Sequence, residues 1–355
     1  MIKRHMGIEC LRIVSMFMIV ILHTLGQGGI LSNLEMFSRQ YYSAWLLEIV
    51  AYCSVNCYAL ISGYVGINSS FKYSRIILLW LQVIFYTVVI TLFFTILFPE
   101  KITGDMWLNA LFPFTTKQYW YMSAYFGMFF LIPFMNAGIN TFSKNKMRSF
   151  LVTVVIFYLF MPTVMGIDTF NLGGGYSMIW LCLLYIIGGC IKKLDIVQVM
   201  SQKKAMVLFL LMIFTSWLSK CFLDAYHTEY GMTFVSFTSP TIFFAAVALL
   251  IFFLHIHIYN EKVVRIVNVF ASISLGVYII HVNPLIWNNI MWNFAADYAN
   301  NRSIVMLIKI FIAAVVIYLG CSVIDLIRKR IFEFLKIAER CKMIENRVEK
   351  INEKR

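Results

Sequence analysis

Apolar stretches of membrane-spanning length follow one another along almost the whole 355-residue chain, and that succession limits the fold more than any other feature. A run of about 20 apolar residues wound as a helix crosses a hydrocarbon layer of roughly 30 Å. About ten such stretches of roughly 17–25 residues can be counted. They lie near 8–28, 43–66, 76–98, 119–141, 149–166, 176–191, 205–222, 239–258, 268–290 and 304–326. With 61% hydrophobic and 13% charged residues and a mean hydropathy of +0.79, no soluble domain of this length fits. The reading is an all-α polytopic membrane protein: one bundle of about ten transmembrane helices over 1–326, then a basic amphipathic tail over 327–355.

The net charge of +13 would suggest nucleic acid in a soluble protein, but here the bases follow the topology. Lys3 and Arg4 precede the first stretch, and Lys72 and Arg75 follow the second. Lys144, Lys146 and Arg148 follow the fourth, and Lys192, Lys193, Lys203 and Lys204 the sixth. Lys262 and Arg265 follow the eighth, and Arg328-Lys-Arg330 the tenth. The opposite loops hold only Arg39, Lys101, Lys117, Lys220 and Arg302, with Lys309 at the edge of the last stretch. That alternation predicts an even number of spans with both termini cytoplasmic, and lipids rather than nucleic acid as partners. The overall architecture reads as that of a bacterial plasma-membrane protein. The first stretch carries Arg12 and His23 and lacks a small-x-small cleavage site, so it reads as a span rather than a cleavable signal. The eight cysteines are scattered without metal-ligand spacing, and no metal is predicted. In the tail, Ile331, Leu335, Ala338, Cys341, Val348 and Ile351 suggest the apolar side of a helix lying on the inner membrane surface, its charged positions alternating between bases and glutamates.

The chemistry concentrates on few residues. Arg12 and His23 stand eleven positions apart on the first helix, three turns plus about 20°, so they share a face about 16 Å apart along the axis. Ionisable groups inside hydrocarbon are costly, and two on one face suggest a polar pathway. A buried imidazole suits a general base near neutral pH; a structural histidine bonded to Glu48, at similar depth on the second span, fits the position as well. Arg12 can pair with Glu9 or hold an anionic ligand. Lys72 and Arg75, one turn apart at the mouth of the third span, suit phosphate oxygens, although topology alone also places bases there. Gly63 in Ser62-Gly63-Tyr64 permits close packing or a turn. Trp120 and Tyr121 read either as interfacial aromatics or as a stacking wall for a sugar ring. Tyr278 and His281 fall on the ninth span, His281 at a depth comparable to His23, which points to a shared cavity. His5, His227, His255 and His257 receive no role, the first two reading as solvated.

These residues resemble the hallmarks of the acyltransferase-3 family, integral-membrane enzymes that O-acylate sugars and other envelope molecules. Arg12-x10-His23, Ile61-Ser62-Gly63-Tyr64, Lys72-x-x-Arg75, Tyr119-Trp120-Tyr121…Pro133 and Ser274…Tyr278-x-x-His281 carry the likeness over roughly 5–330. The resemblance implies acetyl-CoA, or another acyl-CoA, as a donor bound from the cytoplasm. Arg12 would assist the donor or shape the site, Lys72 and Arg75 would hold CoA phosphates, and His23 would be the base or acyl relay. Lys72 departs from the family's arginine and offers a point charge rather than a fork. Glu48, Trp120, Tyr121, Tyr278 and His281 are the expected acceptor-binding residues, the acceptor being a surface polysaccharide or its lipid-linked sugar precursor.

Two rival readings remain at this point. A polysaccharide or lipid-linked sugar flippase, or another carrier, would need no acyl transfer, but it predicts internal symmetry and paired broken helices that the sequence does not display. A sensor with the basic tail as output leaves Arg12 and His23 unexplained.

Overall fold

The computed structural model describes residues 5–352; Lys3, Arg4 and Glu353 lie outside them, as do the side chains of Val348, Glu349 and Ile351. Among the described residues every regular element is helical. The first span is α1 (Met6–Leu25). Helices α2 (Arg39–Tyr52) and α3 (Ser54–Gly66) form one span bent at Cys53. Then come α4 (Tyr73–Leu97), the short α5 (Gly104–Leu111), α6 (Trp120–Thr141) and α7 (Lys144–Met165), which widens into a π turn at Val155–Phe160. Next are α8 (Met178–Lys193), α9 (Gln202–Tyr226), α10 (Pro240–Leu254) and α11 (Glu261–His281). The chain closes with α12 (Ser303–Phe334) and α13 (Ile337–Asn352).

All ten apolar stretches fall on helices, and eight of those helices are long and apolar enough to cross a membrane. The other two, α8 and α10, have 16 and 15 residues. Both are largely buried by neighbours, so most of their surface meets protein. The protein is therefore an all-helical polytopic membrane bundle.

Helix starts follow local chemistry. Ser38, Ser143, Ser177, Ser201 and Ser239 each accept a backbone N–H of the first turn, and Asn260 accepts two. Helix stops explain where the predicted boundaries moved. The ninth stretch ends at His281 rather than 290, because Asn283-Pro284 cannot continue a helix. The seventh runs on to Tyr226, so Lys220 belongs to α9 and not to a loop. Lys220 is buried, pairs with Asp224 and lies 4.0 Å over the Trp45 ring, while Tyr41 donates to Asp224. This cluster fastens α9 to α2. The tenth stretch runs on past 326 to Phe334.

Burial defines the centre. Two-thirds (67%) of α1 is enclosed, against 17% for α7 and α9, which sit at the periphery. Around α1 pack α2, α3, α10, α11 and α12. The tightest crossing is α3 on α8. A Cβ on Gly63 would overlap the Tyr185 carbonyl, and one on Gly188 would overlap the Leu60 carbonyl, so both glycines let the backbones touch. The Ser62-Gly63-Tyr64 glycine is thus a packing residue.

The tail forms its helix, α13, but with a different buried face from that expected. Lys336 takes a left-handed backbone (φ 52°), and the chain doubles back so that α13 lies against the start of α4. Cys341 and Glu345 are buried there, whereas Ile331, Leu335 and Ala338 stay exposed, since the reversal separates the first two from the α13 face. His5 is likewise not free in solvent: its ring packs 5.6 Å from that of His257.

Candidate active site

The site grows from the upper end of α1. His23, in the helix's last turn, points toward the C-terminal turn of α11, where Nδ1 of His23 lies 2.8 Å from Nε2 of His281. The other nitrogen of His281, Nδ1, lies 2.5 Å from the Val277 carbonyl. A carbonyl only accepts, so His281 Nδ1 carries a proton and donates. In the neutral pair His281 Nε2 is then a lone pair, which makes His23 Nδ1 the donor of the second bond. His23 is left with its basic nitrogen, Nε2, uncommitted. Trp287 stands edge-on to the His23 ring at 4.8 Å and limits its rotation.

That imidazole opens on a cavity of about 500 Å³. Its walls bring together residues far apart in sequence: His23 and Gln27 from α1 and its end, Glu48, Tyr52 and Tyr58 from α2–α3, Trp120 and Tyr121 from α6, and Tyr278 from α11. Tyr176, Phe237 and Trp287 complete the aromatic lining. Trp120 and Tyr121 therefore turn inward and do not form a lipid-facing belt. His281 is not on the wall. It is 1% exposed and sits behind His23, because α11 ends one turn beyond the cavity-facing Tyr278.

Three polar atoms on the walls have no hydrogen-bond partner among the described residues: Glu48 Oε2, Gln118 Oε1 and the Tyr278 hydroxyl. Glu48 is 7% exposed, and among the described residues no cation pairs with it. Buried polar groups left unmatched by the protein cost a kcal/mol or more each, roughly 1–3 by mutation, and call for a ligand that hydrogen-bonds.

Arg12 and Arg75 lie at the opposite end of this pathway. Arg12 bonds both Glu9 oxygens at 3.2 Å, the local pairing its i−3 spacing allows, and its carbonyl accepts from Tyr58 at 2.7 Å. Tyr125 neighbours Ser62 and lies within reach of the charges of both Arg12 and Arg75. It stacks on Tyr121 (ring centroids 6.4 Å apart), which in turn meets Tyr278. A row of tyrosines thus runs from the two arginines to the cavity. Lys72 is exposed at the start of α4, one turn before Arg75, and neither touches the cavity.

Sequence reasoning brought His23, Glu48, Trp120, Tyr121 and Tyr278 to one cavity and Arg12 near Arg75. It missed Tyr52, Tyr58, Tyr176, Phe237 and Trp287 as lining residues. Trp287, three residues past Pro284, carried the one usable signal: the chain turns after His281, and Trp287 meets the His23 ring.

The structure is thus a polytopic helical bundle with a histidine facing an internal cavity and an arginine, Arg12, toward the other end of the same helix. The chain belongs to the acyltransferase-3 family, whose acyltransferase domain matches residues 6–326. Neither a curated protein nor a solved structure matches the chain.

Proposed function

We propose that this membrane acyltransferase moves an acetyl group from cytoplasmic acetyl-CoA to a hydroxyl of a surface polysaccharide or its lipid-linked sugar precursor in the bacterial plasma membrane. The observation that carries the reading is the uncommitted Nε2 of His23, facing the cavity with its partner nitrogen held by His281. Nε2 would take the proton of the acceptor hydroxyl while that oxygen attacks the thioester carbonyl. The C–O bond forms, the C–S bond breaks, and the CoA thiolate leaves with the proton that His23 has gained. Direct transfer needs no acyl-enzyme, and His23 serves as base and then acid.

Scale supports the same arrangement. The Arg12–His23 rise of about 16 Å matches a pantetheine arm of roughly 15–20 Å, so the nucleotide can stay at the basic end near Arg12, Lys72 and Arg75 while the thioester reaches His23. At about 500 Å³ the cavity has the size of a small-molecule site. Its aromatic walls suit the apolar faces of a sugar ring. Glu48, Gln118 and Tyr278 offer the hydrogen bonds that ring hydroxyls would satisfy.

Proton NMR of the host's surface polysaccharide tests the reading, with wild-type protein compared against His23→Ala at matched membrane abundance. The expected result is loss of O-acetyl signal with polymer yield unchanged. Acetylation unchanged with polymer missing or trapped inside would replace acyl transfer with export by a carrier.

A further inference from the structure

The tail helix α13 lies outside the matched domain, yet one of its side chains bonds Ser74 in the first turn of α4, a residue that stands in sequence between Lys72 and Arg75. Glu345 Oε2 accepts the Ser74 hydroxyl at 2.7 Å, and Oε1 faces the Ser74 amide at 3.4 Å. Glu345 as a residue is 7% exposed, and Cys341, one turn earlier on the same face, is 2% exposed. These are the amides and cations a helix N-terminus presents to an anion, and α4 is 25 residues long. Here the anion is supplied by the chain itself. Burial opposes charge on Glu345, but the Ser74 hydroxyl, the Ser74 and Tyr73 amides and the Lys72 ammonium outweigh it and hold the carboxyl below its ordinary value.

We propose that α13 is an autoinhibitory element, its Glu345 carboxylate seated on the α4 anion site that a donor phosphate must occupy, so that donor binding and tail docking exclude one another. The inference rests on the reading of Lys72 and Arg75 as donor-phosphate residues. A phosphate carries more charge and more acceptor oxygens than a carboxylate, so it can displace Glu345 at sufficient donor concentration. The hinge is local: the chain reverses at Lys336 over two residues between α12 and α13. The tail then sets the donor concentration at which the enzyme engages, because an occupied site lowers apparent affinity by the fraction of molecules undocked.

The test uses full-length protein in lipid nanodiscs and acetyl-CoA as the probe. Calorimetric titration is expected to show Glu345→Gln binding acetyl-CoA roughly 5- to 10-fold tighter than wild type, the gain from releasing a tail docked in most molecules. Glu339→Gln removes the same charge from an exposed position of α13 and should leave affinity within twofold of wild type, which separates docking from simple charge removal. By linkage, acetyl-CoA should also speed tryptic cleavage at Arg340, Lys342 and Arg347 in wild type. If Arg75→Ala weakens acetyl-CoA but Glu345→Gln changes neither affinity nor cleavage, the tail proposal is overturned and the donor site stands. If Arg75→Ala leaves acetyl-CoA affinity unchanged, the donor site falls and the tail proposal with it.

Discussion

On the proposed mechanism His23 and His281 act as a unit, and the direction of their hydrogen bonds decides which nitrogen takes the proton. His281→Ala removes the acceptor for His23 Nδ1–H, so the ring loses its fixed tautomer as well as its orientation. Loss of the group that fixes a base's tautomer costs up to about 10⁴-fold in kcat, and a fall of roughly 10²- to 10⁴-fold is expected here. The KM for acetyl-CoA should hold within a fewfold, since His281 is one residue behind the cavity wall and far from the basic end. Steady-state kinetics on reconstituted protein separates the two. The shared face of Arg12 and His23 was legible in the sequence, because both lie on one helix and 3.6 residues per turn fixes their direction. The His23–His281 bond was not: it joins residues 258 positions apart, and only the packing of α1 on α11 sets it. Glu48 was legible as a polar intruder in an apolar span, but its lack of a partner was not, since α1, α9 and α12 all pack on α2 and none offers one among the described residues.

At the scale of elements, two devices hold the site's helices in register. The glycine crossing of α3 on α8 fixes the wall that carries Tyr58 and Tyr52. The second device is a buried ion pair on α12, which secures α4 and α11. Asp325 takes two bonds from Arg328, at 3.0 and 2.8 Å, and a third from the Tyr86 hydroxyl of α4 at 2.6 Å. Gly276 of α11 faces it so closely that a Cβ there would overlap the carboxylate. Asp325→Ala leaves a buried guanidinium without its counter-charge, and breaking such a pair costs about 3–5 kcal/mol. Thermal unfolding in detergent should show a clear drop in Tm, with the same variant poorly accumulated in membranes. Asp325 and Arg328 were readable as an i, i+3 pair, but the tyrosine and the glycine that complete the cluster come from helices 239 and about 50 residues away. Every predicted span fell on a helix, but the short α5 lay in no predicted stretch. The helix ends that the serine caps and Pro284 mark were not taken up, the ninth stretch being carried past Pro284.

For the whole molecule, the alternation of basic and neutral loops and the run of apolar stretches disclosed a polytopic bundle, because a membrane imposes one length and one charge rule on every span. The cavity was legible only as a convergence of depths. Its volume and lining depend on Tyr176 and Phe237, which lie in connecting segments that no periodicity marks. The tail contact could not be read at all, since Glu345 looks like any other glutamate on a charged helix. Yet it has a consequence for how α12 is built. At 32 residues this helix is about 48 Å long, well beyond the roughly 30 Å a membrane requires, and its last turns serve to carry α13 to the start of α4. Those turns are a ruler: what they encode is a length and an angle, not a set of contacts. One alanine inserted after Arg330 would advance α13 by about 1.5 Å and rotate it by about 100°, swinging Glu345 away from Ser74. Its acetyl-CoA affinity should match that of Glu345→Gln, whereas replacing the exposed Ile331 by alanine at constant length should leave wild-type affinity. The segment would tolerate a change of letters while refusing a change of count.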